Sequence, residues 1–311
     1  WTGGGNMNTA RYTLGGAGTQ TAAIGAGGYV APRHMRAIKD TGNDLVTILD
    51  PNDSIGVIDS YFPNASYFSE YERFDRHIDK LKRMGKGVDY ISITSPNYLH
   101  DAHIRFALKN GCHAICEKPL LLNPYSINAL KELEIETGKK VYAILQSRLH
   151  PTLIKLKEKI KKSSRKNHKI VLNYITPRGN WFHYSWKGNF EKSGGIATNI
   201  GIHFFDMLMW IFGDVKNSYV ECHTNTKANG YLELENASVD WNLSVDSRDL
   251  PHNEWKAFRS MTVDGEEVEF SDGFFDLHTT SYEKILNGNG FGLDDAKPAL
   301  ELVHQIRNSK T

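Results

Sequence analysis

Residues 21–50 constrain the fold more than any other part of the chain. Thr21-Ala22-Ala23-Ile24 reads as a short strand, and Gly25-Ala26-Gly27-Gly28 as a glycine turn. Pro32 suits the first turn of a helix, Met35 and Ile38 give it an apolar stripe, and Gly42 can end it. Leu45 to Leu49 reads as a second strand, which stops at Asp50. Strand, glycine turn, helix, strand and acid form a unit of the right length for dinucleotide binding. The glycines let backbone N–H groups approach a pyrophosphate at the helix N-terminus. Asp50 is placed to bind a ribose 2′-hydroxyl and repels a 2′-phosphate, so NAD is expected rather than NADP. The third glycine of the usual fingerprint falls at Val30, so the flanking elements carry the reading. An earlier group, Gly15-Gly16-Ala17-Gly18, opens no amphipathic helix. Residues 1–20 are therefore expected to be a leader or tail without an assigned role, with Met7 a candidate internal start.

Such a unit demands further alternation, and the sequence supplies it. Helices are predicted over Asp75 to Met84, Tyr98 to Asn110 and Ser126 to Thr137, ended by Gly85, Gly111 and Gly138. Strands are predicted over Val88 to Thr94, His113 to Cys116 and Val141 to Leu145. This pattern predicts an α/β fold, a Rossmann-like doubly wound parallel sheet over residues 21–150. Beyond it lie a strand at Ile170 to Ile175, an apolar helix at Ala197 to Phe212 and successive strands from Ser218 to Ser271. Residues 151–311 are thus expected to form an α+β domain with a large mixed or antiparallel sheet. Leu277 to Asn308 reads as helix that can return toward the first domain. Two domains suit 311 residues.

Composition excludes several function classes. Lys and Arg total 37 and Asp and Glu 36, so a net charge of +1 gives no bulk field for nucleic acid or an anionic membrane. Three cysteines make no disulfide framework, and a reducing, cytoplasmic setting is expected. No apolar run is expected to reach the roughly 20 residues that span a bilayer. The basic run Lys155 to Lys169 reads as a solvated face.

Ligands of open α/β sheets bind outside the carboxyl ends of the strands. Asp50, Ser95-Pro96-Asn97 and Glu117-Lys118-Pro119 fall there. Lys118, held before a proline, could orient a substrate hydroxyl. In the second domain, Gly194-Gly195 precedes a helix that is apolar except at Asn199, His203 and Asp206. Asn199 and His203 are four apart and share a face, and Asp206 could fix the His203 tautomer. His100 and His103 lack a third ligand of convincing spacing, so no metal is expected. Cys112 and Cys116 read as core or interface thiols. Arg148 and Arg178 can meet a carboxylate or diphosphate, and Trp181, His183 and Trp186 offer faces for a sugar or base.

The glycine turn, Ser95-Pro96-Asn97 with His100, Glu117-Lys118-Pro119 and the Gly194-Gly195…Asn199…His203…Asp206 helix occur in this order. Together they resemble the Gfo/Idh/MocA family of NAD(P)-dependent sugar oxidoreductases. The resemblance implies a catalytic pair, Lys118 and His203. It implies cofactor contacts from Gly25, Gly27, Gly28, Tyr29, Val30, Asp50, Ser95, Pro96, Asn97, His100, Glu117 and Lys118. Substrate contacts are implied for Lys118, Arg148, Arg178, Trp181, His183, Trp186, Asn199 and His203. The family often has Asp where Asn199 stands.

Ala31-Pro-Arg-His-Met35, the segment Pro96 to Ala107, Gln146 to Pro151 and Trp181 to Gly188 are further similar to one branch of that family, the UDP-N-acetylglucosaminuronate dehydrogenases of O-antigen pathways. That resemblance implies oxidation of a sugar 3-hydroxyl to a 3-keto group, reoxidation of the bound cofactor by 2-oxoglutarate, and a homo-oligomer, a dimer or tetramer. Two other readings stand beside it: a dehydrogenase for another sugar or inositol, and a non-catalytic NAD-binding regulator.

Overall fold

The computed structural model describes residues 20–25, 30–52, 56–251, 255–270, 274 and 276–309. The chain groups into two compact units. One takes the described parts of Trp1–Glu117, Tyr125–Ile144 and Asp276–Leu293, and the other those of Lys118–Pro124, Leu145–Phe275 and Asp294–Thr311.

The first unit alternates strand and helix. Its elements are β1 (Gln20–Gly25), α1 (Ala31–Asp40), β2 (Asp44–Leu49), β3 (Ser66–Phe68), α2 (Tyr71–Arg83) and β4 (Tyr90–Thr94). There follow α3 (His100–Lys109), β5 (His113–Cys116), α4 (Ser126–Thr137) and β6 (Val141–Ala143). The six strands are all parallel, in the order β3-β2-β1-β4-β5-β6. That is the doubly wound order, in which the crevice opens where the winding reverses, between β1 and β4. β4 is covered on both faces, as its fully buried Ile91, Ser92 and Ile93 require. Register then decides what shares the crevice edge. Gly25 pairs with Thr94, Ile24 with Leu49 and Ile93 with Cys116. The residues that follow, Asp50, Ser95 and Glu117, therefore leave the sheet on one edge.

The second unit carries α5 (Pro151–Lys162), β7 (His168–Ile175), and the short helices α6 (Trp181–Tyr184) and α7 (Phe190–Ser193). A π-helical turn (Ala197–Gly201) leads into α8 (Ile202–Phe212). Strands β8 (Val215–His223), β9 (Lys227–Leu234), β10 (Ala237–Ser244), β11 (Phe258–Val263) and β12 (Glu266–Glu267) complete a mixed sheet. Its order is β12-β11-β7-β10-β9-β8, parallel only between β7 and β10. α8 lies on one face, with Phe205 edge-on to Trp241 and Phe204 against Tyr174.

The chain closes with α9 (Leu277–Leu286) and α10 (Leu293–Arg307). The sequence predicted helix over Leu277 to Asn308 without placing a boundary. Asn287 to Gly292 interrupts it, and α9 belongs to the first unit while nearly all of α10 belongs to the second. The stretch Phe190–Phe212 holds an 18-residue window of mean hydropathy 1.3, long and apolar enough to cross a membrane by length and composition, which corrects the expectation that no such run exists. Of that window 72% is buried, so protein packs around it as part of a core.

Candidate active site

In the first unit Asp50, expected to meet a ribose, directly follows β2. Asp50 is 1% exposed, and its Oδ1 accepts hydrogen bonds from Asn52 N–H at 2.9 Å and Asn52 Nδ2 at 3.2 Å. Burial pushes the Asp50 carboxyl upward, opposed by those two bonds. Oδ2 accepts nothing from the described residues, which leaves an acceptor for a hydroxyl donor. Pro51 and Asn52, rather than an arginine, follow. The donor set therefore fits a dinucleotide whose 2′-hydroxyl is free. Gly25 ends β1 and Val30 precedes α1, while Gly27, Gly28 and Tyr29 lie outside the described residues.

The β4 end is tied down internally. His100 donates from Nε2 to the Ser95 carbonyl at 2.8 Å, and His103 Nδ1 meets Ser95 Oγ at 2.9 Å. Burial drives His103 down to about 4 from an ordinary 6.5, so it is neutral. Asn97 is buried and Pro96 caps the turn Asn97–Leu99.

Glu117 sits in a network that the sequence did not disclose. Its Oε1 accepts from His34 Nε2 and His278 Nε2, both at 2.8 Å. His34 Nδ1 meets Tyr282 Oη at 2.8 Å, and Tyr282 Oη meets Ser92 Oγ at 2.6 Å. Burial alone would raise the Glu117 carboxyl; hydrogen bonds from His278 and His34 outweigh it and hold it well below the carboxylate range. Each histidine then donates from Nε2, and His34 Nδ1 is left to accept the Tyr282 proton. The three residues have the composition of a metal set. A separation of 2.8 Å, however, is that of a hydrogen bond, whereas two ligands about 2.0–2.1 Å from a tetrahedral ion stand farther apart.

In the second unit the candidate residues converge on Asp206. Lys118 is 8% exposed, and its Nζ stands 3.7 Å from Asp206 Oδ2. Arg148 grips both oxygens of that carboxylate, Nη2 to Oδ1 at 2.8 Å and Nε to Oδ2 at 3.3 Å. Arg148 also donates to Asp295, to Oδ1 at 3.2 Å and to the carbonyl at 2.8 Å. Two of the expected residues are tied to each other. Asp206, expected to set the His203 tautomer, has both oxygens engaged by Arg148. Arg148, expected to meet a substrate anion, has its Nε, Nη1 and Nη2 engaged within the chain and holds the acid beside Lys118.

The glycines before α8 are sterically required. Gly194 and Gly195 have φ of +82° and +78°. A Cβ at Gly194 would stand 2.6 Å from the Thr198 side chain, and one at Gly195 2.9 Å from the Phe190 ring. They let the chain turn tightly into the π-helical turn. Asn199 lies in that turn and His203 in α8, and both are half-buried among fully buried neighbours. A wider turn brings positions four apart closer to alignment, and such turns concentrate at functional sites.

The aromatic segment is solvent-facing. Trp181 is 50% exposed, His183 is exposed and Trp186 is half-buried. The Arg178 guanidinium lies 5.9 Å from the Trp181 ring centroid. Sequence reasoning missed Lys187, whose Nζ lies 5.8 Å from Trp181 and 5.7 Å from Trp186. Burial and then the charge of Arg178 push the Lys187 amine down. No carboxylate pairs with Arg178 or Lys187 among the described residues. The adjacency of Lys187 to Trp186 was the signal that could have found it.

Comparisons with known proteins agree with this geometry. A family described as "Oxidoreductase family, NAD-binding Rossmann fold" matches residues 19–144, and its "C-terminal alpha/beta domain" matches residues 168–247. The WlbA (WbpB) dehydrogenase of Thermus thermophilus, solved in complex with NAD and UDP-GlcNAcA, is 49% identical at a TM-score of 0.90, covering 94% of this chain and 95% of that one. The same enzyme has also been solved with NAD and alpha-ketoglutarate. The WlbA dehydrogenase of Bordetella pertussis shares the fold at 19% identity and a TM-score of 0.76, covering 93% of this chain and 94% of that one. The D-glucoside 3-dehydrogenase of Escherichia coli (strain K12) is 27% identical over 67% of this chain, which spans 58% of that protein.

Proposed function

Because the chain belongs to the Gfo/Idh/MocA oxidoreductase family, we propose that it is an NAD-dependent dehydrogenase that oxidises the 3-hydroxyl of a UDP-N-acetyl-hexosaminuronic acid to the 3-keto sugar. The observation that carries this reading is the buried Lys118, held 3.7 Å from Asp206 in the same unit as His203. Likeness at 49% identity to a dehydrogenase solved with UDP-GlcNAcA supports the substrate. Curated relatives named for oxidation at position 3 support the site of attack.

The chain's own residues divide the work. Asp50 receives ribose hydroxyls, and the glycine turn with Val30, Ser95, Pro96, Asn97, His100 and Glu117 shapes the rest of the cofactor site. NAD supplies a hydride acceptor when bound. Lys118 donates a hydrogen bond to the 3-hydroxyl oxygen and fixes its orientation. His203 takes the hydroxyl proton as C3–H is lost, so the C3–O bond becomes a carbonyl. Asn199 orients the sugar beside them. Arg148 fixes Asp206, and Asp206 in turn fixes the Lys118 amine. Arg178 and Lys187 meet the diphosphate, and Trp181, His183 and Trp186 offer faces to the uracil or sugar.

We further infer that 2-oxoglutarate regenerates NAD, that the enzyme works in the cytoplasm, and that it is a homo-oligomer. The oligomer would form through the open face of the second sheet. A row across that face runs Tyr219, Tyr231, Asp240 and Val171 in direct register, and its two tyrosines and valine are 64%, 37% and 43% exposed.

Substrate screening tests the proposal. NADH formation, or 2-hydroxyglutarate formation when 2-oxoglutarate is present, is expected with UDP-GlcNAcA and not with free hexoses or inositol. Activity on neutral sugars without activity on the uronate would overturn it.

A further inference from the structure

Arg259 lies on β11 directly opposite Tyr174 of β7, on the sheet face that α8 covers. Its guanidinium carbon is 5.3 Å from the Tyr174 ring centroid, 5.9 Å from Phe204, and 5.4 Å from both Phe270 and Phe274. Its Nε and Nη1 are shielded from solvent, yet neither meets a hydrogen-bond acceptor among the described residues. Ring faces attract the cation but satisfy none of its N–H groups. A shielded N–H on a charged group without an acceptor is costly, and such a group is either compensated elsewhere or waiting for a ligand.

The position of Arg259 indicates which ligand. Phe204 directly follows His203, and its ring lies 4.9 Å from that of Tyr174. Phe274 lies 4.9 Å from the His150 ring, two residues beyond Arg148, whose guanidinium holds Asp206 beside Lys118. Arg259 thus stands near the start of α8, within the same unit. Arg148 has its donors committed to Asp206 and Asp295, and Arg178 belongs to the exposed aromatic segment.

We propose that Arg259 anchors the sugar carboxylate of the substrate, whose oxygens meet one edge of the guanidinium, at Nη2 and at one of the two nitrogens that lack an acceptor. The proposal rests on the reading of this protein as a UDP-sugar-uronate dehydrogenase. The carboxylate belongs to the same sugar ring as the hydroxyl to be oxidised, so its anchor must stand within a sugar's width of the reacting atoms. The diphosphate lies farther from that hydroxyl and has Arg178 and Lys187 to meet it. A carboxylate is planar and matches one edge of a guanidinium, which a lysine cannot imitate.

Calorimetric titration of the NAD-loaded protein with UDP-GlcNAcA and with UDP-GlcNAc, which lacks the carboxylate, separates these roles. Wild type is expected to bind the acid at least about tenfold more tightly than the neutral sugar nucleotide. Arg259→Met should erase that preference, with affinity for UDP-GlcNAc and for NAD unchanged. Arg259→Lys, which keeps the charge but not the fork, should retain only part of it, and it replaces the methionine variant as the readout if that variant does not fold. Three results overturn the assignment: no preference in wild type, preference intact in the variants, or equal loss of both sugar nucleotides. The last would place the arginine on the diphosphate or in the core. Failure of wild type to bind either sugar nucleotide would instead remove the dehydrogenase reading on which the assignment rests.

Discussion

A lysine whose side chain is 2% exposed needs a partner for its charge, and Lys118 has Asp206 at 3.7 Å. Arg148 shares that carboxylate, so one fully buried acid serves two cations. Lys118→Met removes the donor to the substrate hydroxyl while preserving chain length. It should abolish measurable turnover and leave NAD affinity nearly unchanged; near-wild-type turnover would remove Lys118 from the mechanism. His203→Ala should lower turnover by about 10²–10⁴-fold, the usual contribution of a general base. Both residues stood out as candidates in the sequence because each breaks a local pattern, a lysine between a strand end and a proline, and a histidine on an apolar helix. The role of Arg148 was not legible. Its partners Asp206 and Asp295 are 58 and 147 residues away, and no local spacing encodes them. Glu117 is a parallel case, since His34 and His278 come from 83 and 161 positions away.

At the scale of elements, the sequence placed β4, β5, α3 and α4 closely because buried apolar runs and glycine ends mark them. It read Ala197 to Phe212 as one regular helix, where the chain makes a π-helical turn before α8. The crowding of Gly194 against Thr198 accompanies that turn, and it is a contact rather than a periodicity. The segment after Leu277 was read as helical without a boundary, and the break at Asn287 to Gly292 separates α9 from α10. Two buried histidines make stability depend on pH. Burial holds both His103 on α3 and His113 on β5 at about 4, against 6.5 when unfolded. The unfolded chain binds these protons first as pH falls, so stability is complete above pH 6.5 and drops between 6.5 and 4. Each contributes up to about 3 kcal/mol to that loss. Urea midpoints measured from pH 7 to 4.5 should fall steadily, and His103→Gln should flatten the slope; a flat wild-type profile would contradict the assignment.

For the whole molecule, the order β3-β2-β1-β4-β5-β6 brings Asp50, Ser95 and Glu117 to one edge, and α8 and the Lys118 turn, to which the proposed function gives the substrate chemistry, belong to the second unit. The near-zero net charge fits the proposed function, in which an anionic substrate would be met by a few placed cations, Arg178, Lys187 and Arg259, rather than by a bulk field. The first of these was legible as an arginine in an aromatic segment. Arg259 was not, because its cage is assembled from β7, α8 and the chain after β12. The central claim is that hydride leaves C3 of a UDP-sugar uronate. Incubation with NAD and UDP-GlcNAcA deuterated at C3 tests it directly, with mass spectrometry of every product. The account predicts deuterium in NADH or, when 2-oxoglutarate is present, in 2-hydroxyglutarate, together with an unlabelled 3-keto sugar nucleotide. Recovery of the label in unchanged sugar nucleotide, with none in either acceptor, would contradict it.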